Sequence, residues 1–384
     1  IGTDNAWKGV SKLSLKTSSG WDSAYIHYKE SELRSSHKKK EFLHRLDVWC
    51  QGPVQSIGNF KIDGDKTSHT RFANGSKAWA RILTKHGNPN QTMFSAMSSG
   101  FYDIDSSMKG EGLAWSWSRF YYHPEKPEYQ GEPNVTAEVQ GLKVWDPRTH
   151  LNDPTVKSWS DNPALCLLDY LLADYGRELA LTDIDISSFI AAANSCDTSV
   201  TLPADPVATE PQTIYVQILG QMVEVPAGGF FPDYRFGQPS GNRKRYTTNL
   251  ILESDNSTID NSAEILKTMK GSLPFVNGKY KLLMEEEGTS VMTFNDDNIL
   301  GGVNLGWADR SKRTNRVTVK FPNENKGYQD DTVSWPAAHS ALHVAYKAAD
   351  NDEDLHSEFE LIGVTDFYQA RDMAEFAVRE SRSQ

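Results

Sequence analysis

This chain of 384 residues has few cysteines, no long apolar run and no excess of positive charge. The three cysteines, Cys50, Cys166 and Cys196, include no C-x-x-C pair and are too scattered for a disulfide framework, so we expect all three to be reduced. The sequence contains no stretch of about 18 apolar residues, the length that a membrane-spanning helix needs. The 51 acidic against 40 basic residues give a net charge of −11, which disfavours binding to a nucleic-acid backbone.

Targeting signals are also missing from the sequence. The first residues, IGTDNAWKGV, contain no signal-peptide core, so secretion is not expected. They include no initiator methionine. We therefore expect a segment before Ile1 that is either removed or lies outside the given sequence.

The common catalytic and metal-binding motifs are absent. The sequence contains no G-x-S-x-G, no P-loop, no H-E-x-x-H and no G-x-G-x-x-G after a strand. Asp350, Asp352 and Asp354 have the spacing of a calcium loop, but Leu355 and Leu361 occupy its sixth and twelfth positions, where glycine and glutamate are needed. The acidic segment 103–112 has no flanking helix pattern either. We predict no catalytic residue, no cofactor-binding residue, no metal site and no cofactor.

The distribution of polar, apolar and turn-forming residues predicts an α+β fold with four parts. Residues 1–40 are polar and read as an N-terminal arm, and 41–148 as a β-rich domain with strands at intervals of about ten residues. Residues 149–245 combine two helices with an extended loop. Residues 246–384 read as an α+β domain with a C-terminal helix.

The segment AWSWSRFYY, at 114–122, is rich in aromatic residues. Trp115 and Trp117 alternate with serines, which predicts a half-buried strand. An alternative is that residues 115–122, ending in Tyr122, form an aromatic platform for carbohydrate, with nearby acids serving a glycosidase or an adhesin.

Two helices are predicted between residues 161 and 197. Asp161 or Asn162 can cap the first, with Pro163 in its first turn, and a second is expected to begin near Thr182 or Asp183. The apolar positions at helical spacing are Leu165, Leu168, Leu171 and Leu172 in the first helix, and Ile186, Phe189, Ile190 and Ala193 in the second. Cys166 and Cys196 lie among them and are interpreted as small core residues.

The last part of the chain alternates strand and helix signals. IYVQILGQMVEV predicts a hairpin or loop within 201–245, YTTNLILE a strand, and DNSAEILKTMKG a helix ended by Gly271. Asn277-Gly278 predicts a type I′ turn between two strands. NRVTVKFPN and DDTVSWP predict an antiparallel pair, and a final helix is expected from Thr365 to about Ser381, with Ala370, Met373, Ala374 and Ala377 facing inward.

Several of these segments, in this order, resemble the tip attachment (host-specificity) proteins of lambda-like siphophages. HRLDVWCQGPVQSIGNFKIDGD is similar to an N-terminal element of the family, with Gln51 in place of the usual acid before Gly52-Pro53, and GLKVWDPRT at 141–149 to its G-x-x-V-x-D-P-R element. The segments 245–282, 315–323 and 363–381 resemble later elements. Within the helical pair the resemblance covers Asn162, Pro163, Asp169, Tyr175, Gly176, Phe189, Ala192, Cys196 and Asp197.

The resemblance implies a structural tail hub and not an enzyme. It implies a β-barrel-like tube domain with inserted or appended α+β domains, and a homotrimer around an axial channel at the distal tip of the virion tail, assembled in the host cytoplasm. Its implied partners are the distal tail protein and other minor tail proteins, the C-terminal end of the tape-measure protein, tail fibres, and a host receptor bound through modules beyond residue 384. No sequence-specific nucleic-acid binding is implied, and an acidic channel wall would let DNA slide past. The insertion at 205–243 is longer than expected for the family.

Overall fold

The computed structural model describes residues 42–97, 105–122, 128–129, 131–151, 153–201, 242–286, 292–295, 298–299, 313–338 and 340–382 in full. It describes the backbone alone of 9–17, 20–28, 41, 98, 202, 213–218, 221–226, 241 and 383. The chain divides into two compact units. The first comprises Ile1–Asp146 and Pro154–Ser160, and the second Pro147–Asp153 and Asp161–Gln384.

The first unit is built from two β-sheets. A five-stranded sheet has the order β2-β1-β3-β7-β6, in which only the β1–β3 pair is parallel, and an antiparallel four-stranded sheet has the order β5-β4-β8-β9. The elements are β1 (Gly9–Thr17), β2 (Gly20–Tyr28), β3 (Glu41–Gln51), β4 (Val54–Ile62), β5 (Asp65–Lys66), β6 (Ala80–His86), α1 (Ser95–Ser98), β7 (Leu113–Tyr122), β8 (Val135–Trp145) and β9 (Lys157–Trp159).

The prediction of a polar arm at residues 1–40 is wrong for the part that the structure describes. Strands β1 and β2 form a hairpin, and β1 pairs in parallel with β3, so both belong to the sheet. In the sequence GVSKLSLKT, leucines alternate with lysines and serines, which is the period of a strand. The lysines and serines explain why the segment reads as polar overall.

Strand β7 lies between β3 and β6 in the five-stranded sheet and is buried on both faces, so the prediction of a half-buried strand is wrong. Ala114 and Phe120 join a core that also contains Phe60 and Ile62 of β4. The opposite face joins a second cluster with Leu46 and Met97. The two clusters therefore enclose β7, because α1 and the segment before it cover the face that would otherwise meet water.

The second unit mixes helices with short sheets. Its helices are α2 (Pro163–Leu172), α3 (Ile186–Cys196), α4 (Thr258–Lys267), α5 (Ala341–Ala349) and α6 (Phe367–Ser383). Its strands are β10 (Ser199–Leu202), β11 (Thr213–Ile218), β12 (Gln221–Pro226), β13 (Gly241–Lys244), β14 (Gly271–Ser272), β15 (Phe275–Val276), β16 (Lys279–Tyr280), β17 (Leu283–Met284), β18 (Arg316–Asn323), β19 (Gln329–Trp335) and β20 (His356–Glu360). The predicted α+β class is confirmed.

The helical pair forms as the sequence indicates, except at the start of its second helix. The Asn162 side chain accepts hydrogen bonds from the amides of Ala164 and Leu165, so Asn162 is the cap of α2. A single 3₁₀ turn covers Leu181–Asp183, but α3 begins only at Ile186. Between the two, Ile184 is extended, 1 % exposed, and forms a parallel bridge with Tyr280. This bridge delays the helix beyond the predicted start near Thr182 or Asp183.

The predicted strand YTTNLILE, at 246–253, is not a strand. Its backbone amides bond to three separate segments: Tyr246 N–H to Cys196 O, Thr248 N–H to Asp161 O, and Asn249 N–H to Gly363 O. The segment is therefore held by helix ends and loops instead of by a neighbouring strand. Such tertiary partners cannot be read from local alternation.

The later elements agree with the sequence pattern. Asn277 and Gly278 have φ of 53° and 77°, as a type I′ turn requires, and they join β15 to β16. Strands β18 and β19 are antiparallel, and β20 extends this sheet in parallel to β18. Helix α6 begins at Phe367 instead of the predicted Thr365, and it packs on β18 and β19 through the buried residues Ala370, Met373, Ala374 and Val378. Ala377, predicted to face inward, is only half-buried. The backbone of β11 and β12 confirms the predicted hairpin within 201–245.

Candidate interaction surfaces

The helical pair that carries most of the resemblance is an interior scaffold. Asn162 is fully buried, and its amide group donates to Ala193 O at 2.9 Å, which ties α2 to α3. Asp169, 3 % exposed, accepts a 3.0 Å hydrogen bond from the Tyr175 hydroxyl. At Gly176 any side chain would meet the carbonyl oxygen of Tyr170 at 1.7 Å. These residue types are explained by packing and hydrogen bonding within the fold.

The three cysteines are not in disulfides and lack the features of a reactive site. Burial raises the pKa of Cys196 to about 12 and that of Cys50 to about 11. Burial, helped by the charges of Asp161 and Asp169, also raises the pKa of Cys166 to about 12. Because the thiolate is the nucleophile and the metal ligand, thiols held in the protonated form suit a core role.

The aromatic stretch at 115–122 does not form an exposed platform. Trp115 is 5 % exposed and Trp117 is 7 % exposed. The Trp117 indole donates to His44 Nδ1 at 3.2 Å, and burial, together with the charge of Arg119, lowers the pKa of His44 to about 3, which suits a neutral acceptor. Sugar stacking needs an accessible ring face. The carbohydrate alternative that rests on these tryptophans therefore loses its structural basis.

The acidic segment 350–360 contains a buried ion-pair centre instead of a calcium loop. The Asp350 carboxylate accepts hydrogen bonds from Arg382 Nη1 at 2.7 Å and from Asn315 Nδ2 at 3.2 Å. It also forms an ion pair with Arg313, whose Nε lies 2.9 Å away. The Asp350 side chain is 2 % exposed. Asp103 of the other acidic segment lies outside the described residues, and within the described ones no cluster of three or more potential metal ligands occurs.

The five-stranded sheet of the first unit ends in two open edges. Among the described strands, β2 and β6 each pair on one side only. The Trp79 carbonyl, just before β6, accepts a hydrogen bond from Tyr121 N–H, so every second residue from Trp79 onward is hydrogen-bonded to β7. Ile82 and Thr84 lie between these residues, and their backbone groups therefore point away from the sheet. An edge of seven residues without proline is able to accept another strand.

Helix α5 exposes an apolar surface. Leu342 is 40 % exposed and Val344 is 57 % exposed, whereas His343 is buried. At about 100° per residue, these two and the four alanines of the helix fall in an arc of about 160° that contains no charged residue. We call this surface the α5 arc; its residues, all exposed, are Ala341, Leu342, Val344, Ala345, Ala348 and Ala349.

A second exposed apolar feature is the tip of the β15–β16 hairpin. Phe275 is 62 % exposed and Val276 is 45 % exposed, next to the Asn277-Gly278 turn. The Phe275 ring lies 5.0 Å from the Tyr280 ring, so its orientation is set within the hairpin. Exposed aromatic side chains on a fixed turn are suited to insertion into a partner surface.

A cleft of about 530 Å³ lies beside α5. It is lined by cationic Arg316 and Lys347, by His343 and Val344, and by acidic Asp352 and Asp354. Substrate pockets are mostly apolar with a few convergent polar groups. The mixed charges of this cleft do not follow that pattern.

Sequence reasoning missed a run of three basic residues at the end of β13. Arg243, Lys244 and Arg245 each bind carboxylates of other segments, described below. A charge run in a sequence usually indicates a solvated surface, and nothing in the local pattern shows otherwise. Among the residues that the structure describes, none of the helices has both the length and the apolar composition that crossing a membrane requires.

Comparison with known proteins relates the chain to phage tails. No protein-family model matches it. It is 25 % identical over 322 residues to the baseplate hub protein pb3 of Escherichia phage T5, a match that covers 79 % of this chain and 30 % of that protein. The chain therefore spans less than a third of the length of that relative.

Among solved structures, a chain from the virion of a native gene transfer agent particle is similar over 89 % of this chain and 66 % of its own length, with 11 % identity and a TM-score of 0.45. A score at that level carries no argument about fold or function. The sequence match to pb3 supports a phage tail or baseplate protein, and the narrower resemblance to lambda-like tip proteins stays a hypothesis.

Proposed function

We propose that this chain is a structural subunit of a phage tail hub, in which copies of the chain surround an axial channel. The observation that carries the proposal is the five-stranded sheet, whose outer strands β2 and β6 each pair on one side only among the strands that the structure describes. An unpaired strand edge invites pairing with another chain, and repeated subunits can close such a sheet into a ring. The match to a baseplate hub protein supports the same conclusion.

The exposed apolar surfaces of the second unit support an assembly role as well. The α5 arc and the Phe275–Val276 tip present aliphatic and aromatic groups to solvent. Surfaces of this kind mark contacts with other proteins more often than they mark a catalytic centre. In a hub they would be covered by neighbouring tail components.

The resemblance to lambda-like tip attachment proteins supports a more specific role. The hub is a homotrimer at the distal tip of a siphophage tail; it closes the tail tube, anchors the end of the tape-measure protein, and links receptor binding to DNA ejection. Residues 41–148 supply the tube part. The segments 149–245 and 246–384 brace it, and further modules carry the receptor-binding function. We propose no enzymatic activity for the chain.

A proline on the open edge tests this proposal. Thr84→Pro removes an outward amide of β6 while leaving the β6–β7 hydrogen bonds in place, because proline is tolerated on an edge strand. In cells that make the other tail proteins, we expect the wild-type chain and Thr84→Val to enter particles and Thr84→Pro to be excluded. Circular dichroism and thermal melting of the purified variant show whether it folds.

Two outcomes would contradict the proposal. One is incorporation of a folded Thr84→Pro variant at the wild-type level, since the edge would then have no role in assembly. The other is the absence of the wild-type chain from purified particles. A variant that fails to fold is replaced by Thr84→Lys, which keeps the amide but places a charge next to the incoming strand.

A further inference from the structure

Strands β10 and β13 join two stretches of the chain that lie far apart in the sequence. They pair antiparallel from Ser199↔Lys244 to Leu202↔Gly241. Two further hydrogen bonds continue the pairing, from Arg245 N–H to Thr198 O at 2.9 Å and from Tyr246 N–H to Cys196 O at 3.1 Å. We call the paired residues 198–202 and 241–245 the neck.

The neck buries little apolar surface. Ser199, Thr201, Asn242 and Lys244 are all exposed, and Val200 is half-buried. Ladder hydrogen bonds alone leave a two-stranded ribbon marginally stable in water. Side-chain interactions outside the ladder must therefore fix the neck to the rest of the unit.

Arg243 supplies the contact on the side of helix α6. Its guanidinium Nη2 donates to the Asp372 carboxylate of α6, and its Nε lies 3.6 Å from the carboxylate of Asp366, just before that helix. The Arg243 side chain is only 11 % exposed. Its Nη1 also donates to the carbonyl oxygens of Lys244 and Arg245, at 3.0 and 2.8 Å. A charged group this buried is retained because it is paired.

Lys244 binds the ends of α2 and α3. Its Nζ lies 2.6 Å from Asp161 Oδ1, just before α2, and 3.2 Å from Asp197 Oδ1, just after α3. Although burial alone would lower the pKa of Lys244, these two carboxylates raise it, so the ammonium stays charged. Asp197 is in turn held by Arg148 Nη1 at 2.8 Å.

Arg245 completes the set of contacts. Its Nη1 donates to Glu286 Oε1 at 2.7 Å and to Ser195 Oγ at 3.2 Å. Three consecutive residues thus reach carboxylates on different segments. The alternation of side chains along a strand explains why Lys244 reaches acids other than those of its two neighbours.

We propose that Arg243, Lys244 and Arg245 form an electrostatic latch, which fixes the neck against α2, α3 and α6 and which can open while the rest of the second unit stays folded. Opening the latch releases strands β10 and β13 from these three helices. This inference goes beyond the hub proposal and does not depend on it. Local opening of such a segment is the ordinary consequence of few apolar contacts.

The latch is tested by amide hydrogen exchange in the triple variant Arg243→Gln, Lys244→Gln, Arg245→Gln. We expect exchange of the neck amides to accelerate at least about tenfold, while amides of α2 and α6 change less than about twofold. Lys267→Gln, which removes an exposed ion pair to Glu264, serves as the control and should leave the exchange rates of the neck amides unchanged. In the wild type, 1 M salt should accelerate hydrogen exchange of the neck amides, because it screens the ion pairs. In the triple variant, the same salt should have little further effect on this exchange.

The inference is overturned if the neck of the triple variant exchanges no faster than that of the control. It is also overturned if every element accelerates to the same extent, because the cations would then stabilise the whole unit. Should the triple variant not fold, the single change Lys244→Asp is compared with the swapped pair Lys244→Asp, Asp161→Lys. If the swapped pair restores slow exchange of the neck amides, the latch is supported. If exchange of these amides is accelerated equally in the single variant and in the swapped pair, the latch is contradicted.

Discussion

Replacing the buried carboxylate of Asp350 by an amide should destabilise the second unit strongly. Asp350 caps the end of α5 and joins it to Arg382 in the last turn of α6, and both side chains are largely buried, at 2 % and 11 % exposed. Asp350→Asn keeps the shape but leaves the guanidinium of Arg382 without its counter-charge. Breaking a buried ion pair from one side costs about 3–5 kcal/mol.

The expected magnitude is near the lower end of that range. Arg313, the second cation, is 42 % exposed, so solvent screens its share of the interaction. We therefore expect a loss of about 3 kcal/mol at pH 7. For a unit of this size, each kcal/mol lowers the melting temperature by about 2–4 °C, which gives a fall of about 6–12 °C.

The pH dependence provides a second readout. Burial opposes ionisation of Asp350, but hydrogen bonds from Arg382 and Asn315 and the charges of Arg382 and Arg313 outweigh it and hold its pKa below the usual value. The stabilisation is therefore present above about pH 4, the unfolded value, and is lost as the pH falls through the folded pKa. The difference between wild type and Asp350→Asn should shrink in the same range.

Urea unfolding at pH 7 measures the effect, with Glu358→Gln as the control. The Glu358 side chain is 71 % exposed, so its neutralisation should change stability by less than about 0.5 kcal/mol. In a double-mutant cycle, Arg382→Met should lower the free energy of unfolding much less in the Asp350→Asn background than in the wild type. Equal stability of Asp350→Asn and the control would refute the reasoning.

Three further predictions follow from the helical pair and the hairpin. Asn162→Ala removes a helix cap and a buried hydrogen bond to α3, so urea unfolding should show a loss of about 2 kcal/mol; a loss below 0.5 kcal/mol would speak against it. Cys196, with its pKa raised to about 12 by burial, should resist thiol reagents at pH 8 until the protein unfolds, and rapid labelling of the native protein would contradict this. Gly278→Ala, at φ of 77°, should cost about 1 kcal/mol, whereas Gly131→Ala, where a methyl group meets no atom within 4 Å, should cost less.

The elements that the sequence predicted well are those with strong local signals. Helix α2 has a capping asparagine, a proline in its first turn and leucines at helical spacing. The Asn277-Gly278 turn needs two positive φ values that few other dipeptides adopt as easily. Apolar and polar residues alternate clearly along strands β18 and β19, so their antiparallel pairing could be expected.

The errors come from partners that lie far away in the sequence. Ser116 is 0 % exposed, and its hydroxyl accepts a hydrogen bond from the Trp49 indole at 3.0 Å, which satisfies it in the core. The alternation of tryptophan and serine in β7 therefore did not mean that one face of the strand meets water. Residues 246–253 alternate like a strand, yet their amides bond to residues 161, 196 and 363. The Arg243–Asp372 contact spans 129 residues, and no local pattern indicates it.

We propose that copies of this chain build a ring by pairing the open edges of one sheet. The most direct measurement is a reconstruction of the tail end in purified particles. We predict three copies around one axis, with β2 and β6 of each hydrogen-bonded to strands of neighbouring subunits. A single copy away from the axis, with both edges exposed to solvent, would contradict the account.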